Sequence, residues 1–520
     1  MKSLFCAFLA ALLVLLAPAA GPAEASVSAE KGGYSRLEDL NGKKVGVQTG
    51  TSFADMVQKR LPDATVEFYN TKADLVAALT GHKVEAFVVD EPVARLMEAE
   101  NDRVTYLPEY LEEYTFGMVF AKSEAGYALR AEFNEFLSGL PKDALQKLAA
   151  KWFTEEEKNQ TMTDPASLPA KKGVIRVATE SGYAPFEFMR NGKVVGYDMD
   201  LIAMFCESRG YGMEIVDMNF DGVLPAVQTA KCDLAAAGIS ITPERAESVA
   251  FSDPVYTGGT VLAVLTENRS APSGIIDRKG LSFWQDIQAS FEKTFLREGR
   301  WKLFLEGIGN TLLITLLSIL FGTVLGFLVF MACRRGNPVA GAVSGFVMWL
   351  VQGTPMVVLL MVLYYVVFGS IGISGLAVAV IGFTLTFGTT VFGLLKMGVG
   401  TVDRGQYEAA CALGHSDRHT FFRIILPQAV PHILPAYQSE IVSLIKTTAI
   451  VGYIAVLDLT RMGDIVRSRT YEAFFPLIAV TVIYFLLEGL FGFAVSRIRI
   501  RTNPRKRRHS RLLKGVNTHD

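Results

Sequence analysis

The second half of the chain contains two long stretches without a charged side chain. No residue from Gly307 to Cys333 is charged, and none of the 60 residues from Gly336 to Leu395 is charged. A helix needs about 20 apolar residues to cross the hydrocarbon layer of a membrane. The first stretch therefore fits one membrane span and the second fits two, which excludes an ordinary water-soluble enzyme.

Two further spans are expected, at about 437–457 and 474–495. The first contains Glu440 and Lys446, and the second contains Glu488. Because charges within a membrane are costly and often functional, these side chains are candidates for a polar path across it. Alternatively, Lys446 lies near the interface and extends its ammonium group to the lipid head groups. The sequence thus predicts about five spans.

The N-terminus has the pattern of an export signal. Lys2 precedes an apolar run over 4–17, and Ala23-Glu24-Ala25 supplies a small-x-small cleavage site. The apolar run is too short to cross a bilayer. We therefore expect residues 1–25 to be a signal peptide, with the chain up to about residue 300 outside the cytoplasm.

The net charge of −1 is the sum of two opposite halves. Residues 301–520 carry 20 Lys and Arg against 10 Asp and Glu, whereas residues 1–300 carry 31 against 42. An exported N-terminus followed by five crossings places the C-terminus in the cytoplasm. The expected inner segments hold 15 Lys and Arg and the outer ones 7, in agreement. The basic tail, 499–520, directly follows a span and is interpreted as a membrane-surface anchor rather than an RNA-binding segment.

The exported part consists of two segments, 34–165 and 173–267, in which short apolar strands alternate with helical patterns. In open α/β sheets, ligands bind beyond the carboxyl ends of the strands. The residues that directly follow the predicted strands or open the next helix are Thr51, Ser52, Asp90, Glu180, Gly238, Ser240 and Arg245.

These residue types together suit a free α-amino acid. Hydroxyl groups, the N–H groups of helix starts and Arg245 form an anion site, and Asp90 suits an ammonium group. Taken singly, each Ser, Thr or Asp is a candidate helix cap instead. Their convergence favours a binding site.

Long motifs in both segments resemble bacterial polar-amino-acid binding proteins. In 173–267, VATESGYAPFEF, GYDMDL, FDGVLPAVQ and AAGISITPERAESVAFSDPVY resemble the first half of such a protein, which forms lobe 1. In 34–165, LEDLNGKKVGVQTGTSFADMV, VEAFVVDEPVA and LQKLAAKWF resemble its second half, lobe 2 plus the C-terminal part of lobe 1. The resemblance implies a two-lobed, type II α/β domain like the periplasmic binding proteins.

The two halves stand in the reverse of the usual order for this family. The simplest account is a circular permutation, in which the usual termini are joined by the linker from Thr154 to Lys172. The alternative is that two chains exchange halves.

The resemblance also implies residue roles. Arg245 pairs with the α-carboxylate of the ligand. Its helpers are Ser240 and the N–H groups near Gly238, Thr51 and Ser52.

The remaining roles concern the amino group and the side chain of the ligand. Asp90 takes the α-amino group, and Tyr183 and Phe220 enclose the ligand side chain. Glu180 faces the end of that side chain, which favours a polar or cationic ligand. Phe53 stands where some relatives have a polar residue, so contacts there depart from the family pattern.

The loop between the third and fourth spans has the spacing EAA-x₃-G-x₉-I-x-LP. Its motif residues are Glu408, Ala409, Ala410, Gly414 and Pro427. The spacing resembles the cytoplasmic loop of ATP-binding cassette (ABC) importer permeases, and VQGTPMVVLLMVLYYVVFG and SLIKTTAIVGYIAV resemble polar-amino-acid permeases. The resemblance implies an all-α permease domain over 306–498 whose loop docks an ATPase. The alternative is an ordinary amphipathic loop helix.

The resemblance implies several partners. The chain has no GxxxxGK[ST] phosphate-binding motif, so a separate ATPase subunit is expected. Five spans are few for an enclosed path, and related permeases act in pairs, so a homodimer in contact with membrane lipid is expected. Residues 268–305 are expected to form a flexible linker and an amphipathic helix, Phe283 to Leu305, on the membrane surface.

The sequence therefore predicts a substrate-binding and permease subunit of an importer for polar amino acids in the bacterial inner membrane, with the binding domain outside the cytoplasm. The alternative is an amino-acid-gated channel or membrane sensor. A metal site is not expected, because the five cysteines form no CxxC pattern and no Cys/His cluster has zinc spacing. An enzyme is not expected, since no nucleophile–base pair stands out, and neither is a cofactor. The near-zero net charge argues against a nucleic-acid partner. Cys206 and Cys232 either pair or remain free thiols.

Overall fold

A computed structural model describes residues 33–153, 157–269, 288–334, 336–369, 372–470 and 475–502. The expected signal peptide, most of the linker after residue 269 and the tail beyond residue 502 lie outside the described residues. Within the described residues, the chain has an α/β part up to residue 269 and a helical part from residue 288. The predicted fold class, an α/β binding domain followed by an all-α transmembrane domain, is confirmed.

The α/β part alternates strands and helices, as its hydrophobic pattern predicts. The strands are β1 (Lys44–Gln48), β2 (Thr65–Tyr69), β3 (Ala86–Asp90), β4 (Val104–Tyr106), β5 (Glu112–Phe116), β6 (Val119–Phe120), β7 (Val174–Thr179), β8 (Gly182–Tyr183), β9 (Glu187–Arg190), β10 (Lys193–Val195), β11 (Gly212–Asp217), β12 (Leu234–Ala235), β13 (Ala250–Phe251) and β14 (Tyr256–Leu265). The helices are α1 (Phe53–Arg60), α2 (Lys72–Thr80), α3 (Glu91–Glu100), α4 (Glu124–Gly139), α5 (Ala144–Phe153), α6 (Tyr197–Arg209), α7 (Phe220–Gln228) and α8 (Pro243–Ser248).

Two large sheets define two lobes. The sheet of lobe 2 has the order β2-β1-β3-β14-β4, with β5 beside β14, and the sheet of lobe 1 has the order β11-β7-β12-β6-β13. β1 and β7 each pair in parallel with both of their neighbours, which is the arrangement that strand–helix–strand units produce. A small sheet, β10-β9-β8, completes the α/β part that the structure describes.

Both sequence segments contribute strands to both lobes. β6 pairs with β12 and β13 in lobe 1, whereas β14 pairs with β3, β4 and β5 in lobe 2. The expectation that 173–267 forms lobe 1 alone is therefore corrected for β14, which completes the backbone hydrogen bonds of β3. The crossings at 116–119 and 251–256 run side by side, with Tyr256 opposite Phe116. These two connections form the hinge between the lobes.

The helical part is built from long apolar helices and short connecting ones. They are α9 (Trp301–Cys333), α10 (Pro338–Gly353), α11 (Met356–Met361), α12 (Gly375–Gly400), α13 (Arg404–Ala412), α14 (Asp417–His419), α15 (Leu426–Thr447), α16 (Leu459–Thr470) and α17 (Phe475–Thr502).

Three of these helices, α9, α12 and α17, are each long and apolar enough to cross a membrane. The helix pair 338–353 and 356–367 is bent by 111°, and 417–454 is bent by 58° against α16. The described residues therefore hold three such helices, or up to five spans if each bent pair crosses once. The upper figure equals the number predicted from the charge-free stretches.

α9 and α12 pack closely because glycines lie at their contact. A Cβ atom on Gly326 would lie 2.5 Å from the carbonyl oxygen of Gly388, and one on Gly322 would lie 3.0 Å from the side chain of Phe387. Small residues let membrane helices approach closely and gain van der Waals contact. This pair forms the centre of the helical part.

The chain before α9 is not the single amphipathic helix that was expected over 283–305. The helix is interrupted at Glu298, whose φ is 56°, and at Gly299, whose φ is 64°. Glu298 forms ion pairs with Arg300 at 3.1 Å and with Arg469 at 3.4 Å. The local pair with Arg300 and the long-range pair with Arg469 stabilise a break that amphipathic periodicity does not predict.

Lobe 1 lies directly on the helical part. One apolar cluster contains Met218 and Val223 of lobe 1 together with Tyr365 and Ile454 of the helical part. α16 contacts β8 and β9 of lobe 1 and also α2 of lobe 2. The binding domain is thus in contact with the helical part through both of its lobes.

Candidate functional site

A small polar cavity lies between the two lobes. Its lining contains Gln48, Thr51, Ser52, Phe53, Asp90, Glu180, Tyr183, Phe220, Ala237, Gly238, Ser240 and Arg245. The structure therefore brings together all nine residues that the sequence predicts for ligand binding. They meet because each follows a strand or opens a helix at the facing edges of the two sheets.

The guanidinium group of Arg245 belongs to the cavity lining. This group donates to the Ser240 carbonyl at 3.1 Å and, across the cavity, to the Gly50 carbonyl at 2.9 Å. Thr242 caps α8 by accepting from the Arg245 amide at 3.3 Å, as the Thr-Pro start predicts. The guanidinium is therefore held by neutral carbonyl groups, which leaves its charge available to an anion.

Asp90, the last residue of β3, also lines the cavity. Its Oδ2 atom accepts a hydrogen bond from the Tyr183 hydroxyl, and its buried Oδ1 atom has no hydrogen-bond partner among the described residues. Burial raises the pKa of the Asp90 carboxyl to about 8, although Lys72 opposes the shift. A ligand ammonium group would supply both the missing partner and the missing charge.

Additional ionisable groups lie beside the cavity and were missed by sequence reasoning. The Lys72 ammonium lies 3.5 Å from the centre of the Tyr183 ring and has no hydrogen-bond partner among the described residues. Burial lowers its pKa to about 8, opposed by the charges of Glu180, Glu187 and Asp90. Lys72 opens α2, which contributes no residue to the cavity lining, so no sequence signal indicated it.

A second missed group is Asp198, on α6. Its Oδ2 atom accepts from the Gly238 amide at 3.0 Å, so in this structure that amide is occupied by the protein's own carboxyl group and does not face a ligand carboxylate, as was expected. Burial raises the pKa of Asp198 to about 7 and raises that of the neighbouring Glu187 well above its usual range. The walls of the cavity are therefore rich in buried acids.

The two hydroxyl groups at the start of α1 differ in their roles. Thr51 donates to the Gln48 carbonyl at 2.6 Å, so its hydroxyl stabilises the turn before the helix. The Ser52 hydroxyl is buried without a partner among the described residues. The helix-cap interpretation thus applies to Thr51, whereas Ser52 is available to a ligand.

The lobes are closed on each other. Besides the Arg245–Gly50 and Tyr183–Asp90 contacts, Gln48 donates to Glu180 across the cavity at 3.2 Å. These side chains leave a cavity of only about 20 Å³ between the lobes, far below the several hundred Å³ typical of small-molecule pockets. An amino acid can enter only after the lobes separate at the hinge.

The predicted coupling loop, here residues 403–419, is exposed. Glu408 and Ala409 lie on the exposed side of α13, whereas Ala410 is buried against the helical part. Gly414 has a φ of 75° and ends the turn after α13, where a side chain would be strained. Beside it, the Leu413 side chain is 76% exposed.

The coupling loop and the binding domain lie at opposite ends of α9. At the start of α9, Arg300 pairs with Glu298 beside α16, which contacts both lobes. At its other end, Arg334 forms an ion pair with Asp417 of the loop. Pro427 lies near the start of α15, which continues from this end.

Two of the charged residues within the expected spans contact each other. Lys446 on α15 and Glu488 on α17 form an ion pair with 3.0 Å between Nζ and Oε2. The pair links two helices that pack together. Mutual pairing lowers the cost of both charges in an apolar layer.

A two-lobed domain that closes on a polar cavity, joined to membrane-type helices, defines a transport protein that combines a substrate-binding part with a permease part. The chain belongs to the bacterial extracellular solute-binding proteins, family 3, whose sequence profile matches residues 175–465. It is a member of the amino-acid ABC transporter substrate-binding and permease group.

Relatives of the permease part are similar in sequence. The chain is 34% identical over 193 residues to the putative glutamine transport system permease protein GlnP of Rickettsia typhi, covering 36% of this chain and 88% of that protein. It is 30% identical over 203 residues to the L-cystine transport system permease protein TcyL of Bacillus subtilis, covering 37% and 85%. A crystal structure of an amino acid ABC transporter with histidines is 28% identical, covers 43% of this chain and 99% of that chain, and has a TM-score of 0.37.

Proposed function

We propose that the chain captures a free polar amino acid between its two lobes and passes it through its own helical part into the cell. The observation that carries this proposal is the cavity between the lobes, whose lining contains both Arg245 and Asp90. A free amino acid carries a carboxylate and an ammonium group on one carbon, so it matches a site with one fixed cation and one buried acid.

In the proposed complex, the ligand carboxylate pairs with Arg245 and accepts from Ser52. The ligand ammonium group binds Asp90, and the side chain lies between Tyr183 and Phe220, towards Glu180. The two relatives described above are named for the transport of glutamine and of L-cystine, both polar amino acids. This agreement supports a polar ligand for the present chain.

Closure of the lobes is the proposed capture step. A ligand that contacts both lobes stabilises the closed state, because its charged groups pair only when both walls are in place. The direct contact of both lobes with the helical part supports delivery of the released amino acid to that part.

A separate ATPase subunit is proposed to dock at the coupling loop, residues 403–419. Support comes from the exposed Leu413 and from the position of the loop at the far end of α9 from the binding domain. In this arrangement the binding domain faces the extracytoplasmic side, the loop and the C-terminus face the cytoplasm, and two copies form the path across the bacterial inner membrane.

A circularly permuted binding domain within one chain is proposed as its domain organisation. Support comes from β6 and β14, through which each segment supplies a strand to the other segment's sheet. The proposed boundaries remain 34–165 and 173–267 for the two halves, 306–498 for the permease domain and 499–520 for the basic tail.

The test is reconstitution of the full chain in lipid vesicles with the ATPase subunit encoded nearby, followed by uptake assays with all twenty amino acids. We expect uptake of one or a few polar amino acids that requires ATP. An ion current on ligand addition without ATP would support the amino-acid-gated channel instead. Uptake of no amino acid in the presence of ATP would contradict the proposal.

A further inference from the structure

A buried arginine of the helical part reaches the wall of the ligand cavity. Arg461, near the start of α16, is only 5% exposed. Its guanidinium donates to Asp217 at 2.9 Å, to the Met218 carbonyl at 2.8 Å and to Asn219 at 2.9 Å. All three partners belong to lobe 1, so the contact joins the two parts of the chain.

The same guanidinium approaches a residue that lines the cavity. Its Nη1 atom lies 3.9 Å from Oε1 of Glu180, whose other carboxylate oxygen accepts from Gln48. Asp217 also accepts from the amide and the hydroxyl of Ser181, at 2.8 and 2.5 Å. Arg461 therefore interacts with the charge of Glu180 and, through Asp217, stabilises the turn that carries Glu180.

The other arginines of α16 do not approach the cavity lining. Arg467 pairs with Asp74 of lobe 2 at 3.0 Å and with Asp464 of its own helix at 2.9 Å. Arg469 pairs with Glu157 and Glu298. Arg467 is buried to the same extent as Arg461, so it provides a matched control on the same helix.

We propose that Arg461 sets the charge preference of the amino-acid site: in the docked protein it neutralises Glu180 and so weakens binding of a cationic side chain relative to a neutral one of the same length. The inference rests on the proposed function, since it assigns a ligand side chain to the space before Glu180. The opposite charges of Arg461 and Glu180 attract strongly at this separation in a buried site. A cationic ligand side chain would have to share the Glu180 carboxylate with Arg461.

The consequence is a link between docking and release. Away from Arg461, Glu180 keeps Lys72 as a nearby cation but loses its arginine partner, so it presents more negative charge to the ligand side chain. When lobe 1 lies on α16, that charge is already paired, so the site holds a cationic or strongly polar side chain less tightly. The helical part thereby lowers the affinity of the binding domain at the place where the ligand must leave it.

The test uses the full chain in lipid nanodiscs without ATPase, with calorimetric Kd values for two charge-matched pairs of probes. L-arginine and L-citrulline have the same length and differ in charge, as do L-glutamate and L-glutamine in the opposite sense. In the variant R461Q, we expect the Kd ratio of citrulline to arginine to rise about tenfold. The ratio of glutamate to glutamine is expected to rise as well, because an anion loses a nearby cation.

Controls separate this charge effect from a structural one. R467Q is expected to leave both ratios within about twofold of the original chain, since Arg467 lies against Asp74 rather than Glu180. In an E180Q background, R461Q is expected to change the arginine ratio less than about threefold. A purely structural role would change both members of each pair in parallel and leave the ratios unaltered.

A second variant keeps the inference testable should R461Q fail to fold. D217N leaves Glu180 as the remaining acidic partner of Arg461, so the ratio of citrulline to arginine is expected to fall below that of the original chain. Unchanged ratios in R461Q or D217N, or equal changes in R461Q and R467Q, would overturn the inference. Failure of the original chain to bind any of the twenty amino acids would instead contradict the proposed function.

Discussion

The ligand cavity and the coupling loop place their polar and apolar groups in opposite ways. The cavity buries ionisable groups, among them Asp90 and Glu180, and closes over them. The loop leaves its charged residues exposed and also exposes the apolar side chain of Leu413. The cavity is proposed to bind a small charged ligand, whereas the loop is proposed to bind a protein. The two regions should therefore respond to substitution in different assays.

The largest expected effect is on ligand binding in the cavity. Arg245→Ala removes the cation that pairs with the ligand carboxylate and leaves that charge buried, which costs about 2–5 kcal/mol. We expect Kd to rise by about 100-fold or more in calorimetry with the amino acid that the uptake assay identifies. Arg36→Ala, on an exposed residue, serves as the control. An unchanged Kd in Arg245→Ala would contradict the proposal that Arg245 binds the ligand carboxylate.

The loop should show the reverse response. Leu413→Asp places a charge where an ATPase subunit is proposed to dock, so we expect ATP-driven uptake to fall more than about tenfold. Because the side chain is 76% exposed, the substitution should not affect folding, and Kd for the amino acid should stay the same. Equal losses of binding and uptake would show that loop and cavity are not separate in function.

Within the cavity, the two neighbouring hydroxyl groups offer a finer comparison. Ser52→Ala removes a buried hydroxyl that lacks a partner among the described residues, so we expect Kd to rise about tenfold. Thr51→Val removes the donor to the Gln48 carbonyl and should lower the unfolding temperature with little change in Kd. Reversed results for the two variants would assign the helix-cap role to Ser52.

The smallest expected effect is the pH dependence of binding. The raised pKa of Asp90, about 8, keeps its carboxyl mostly protonated at pH 7 in the ligand-free protein. A bound ammonium group favours the carboxylate, so binding releases a proton and affinity rises with pH. Between pH 6.5 and 7.5 we expect Kd to fall about eightfold.

Calorimetry in two buffers of different ionisation enthalpy measures the released proton directly. The binding enthalpy should differ between phosphate and Tris at pH 7, and the difference should disappear in Asp90→Asn. The same enthalpy in both buffers for the original chain would show that Asp90 is already ionised before the ligand binds.

Much of the cavity was predictable because its residues obey a local rule. Asp90, Thr51 and Gly238 follow strands, and the carboxyl ends of parallel strands meet at one edge of a sheet. Each position could therefore be placed from its own stretch of sequence. The strands and the start of α8 at Pro243 were predictable for the same reason.

The groups that sequence reasoning missed depend on long-range contacts. Lys72 reaches the cavity from the start of a helix outside its lining, and Arg461 comes from the helical part, 281 positions along the chain from Glu180. The sequence counted Arg461 only as a cation on the outer side of the membrane. Basic residues are usually enriched on the cytoplasmic side, so this rule does not account for Arg461 in an expected outer segment. Its burial against lobe 1 does account for it.

The length of α9 sets how far the binding domain stands from the lipid. Its 33 residues span about 50 Å at 1.5 Å per residue, whereas the hydrocarbon layer is about 30 Å thick. About 20 Å of continuous helix is therefore left over at its two ends. A continuous helix of this length fixes the distance between the binding domain and the membrane. Spin labels on lobe 1 should therefore report a narrow range of distances from the lipid head groups.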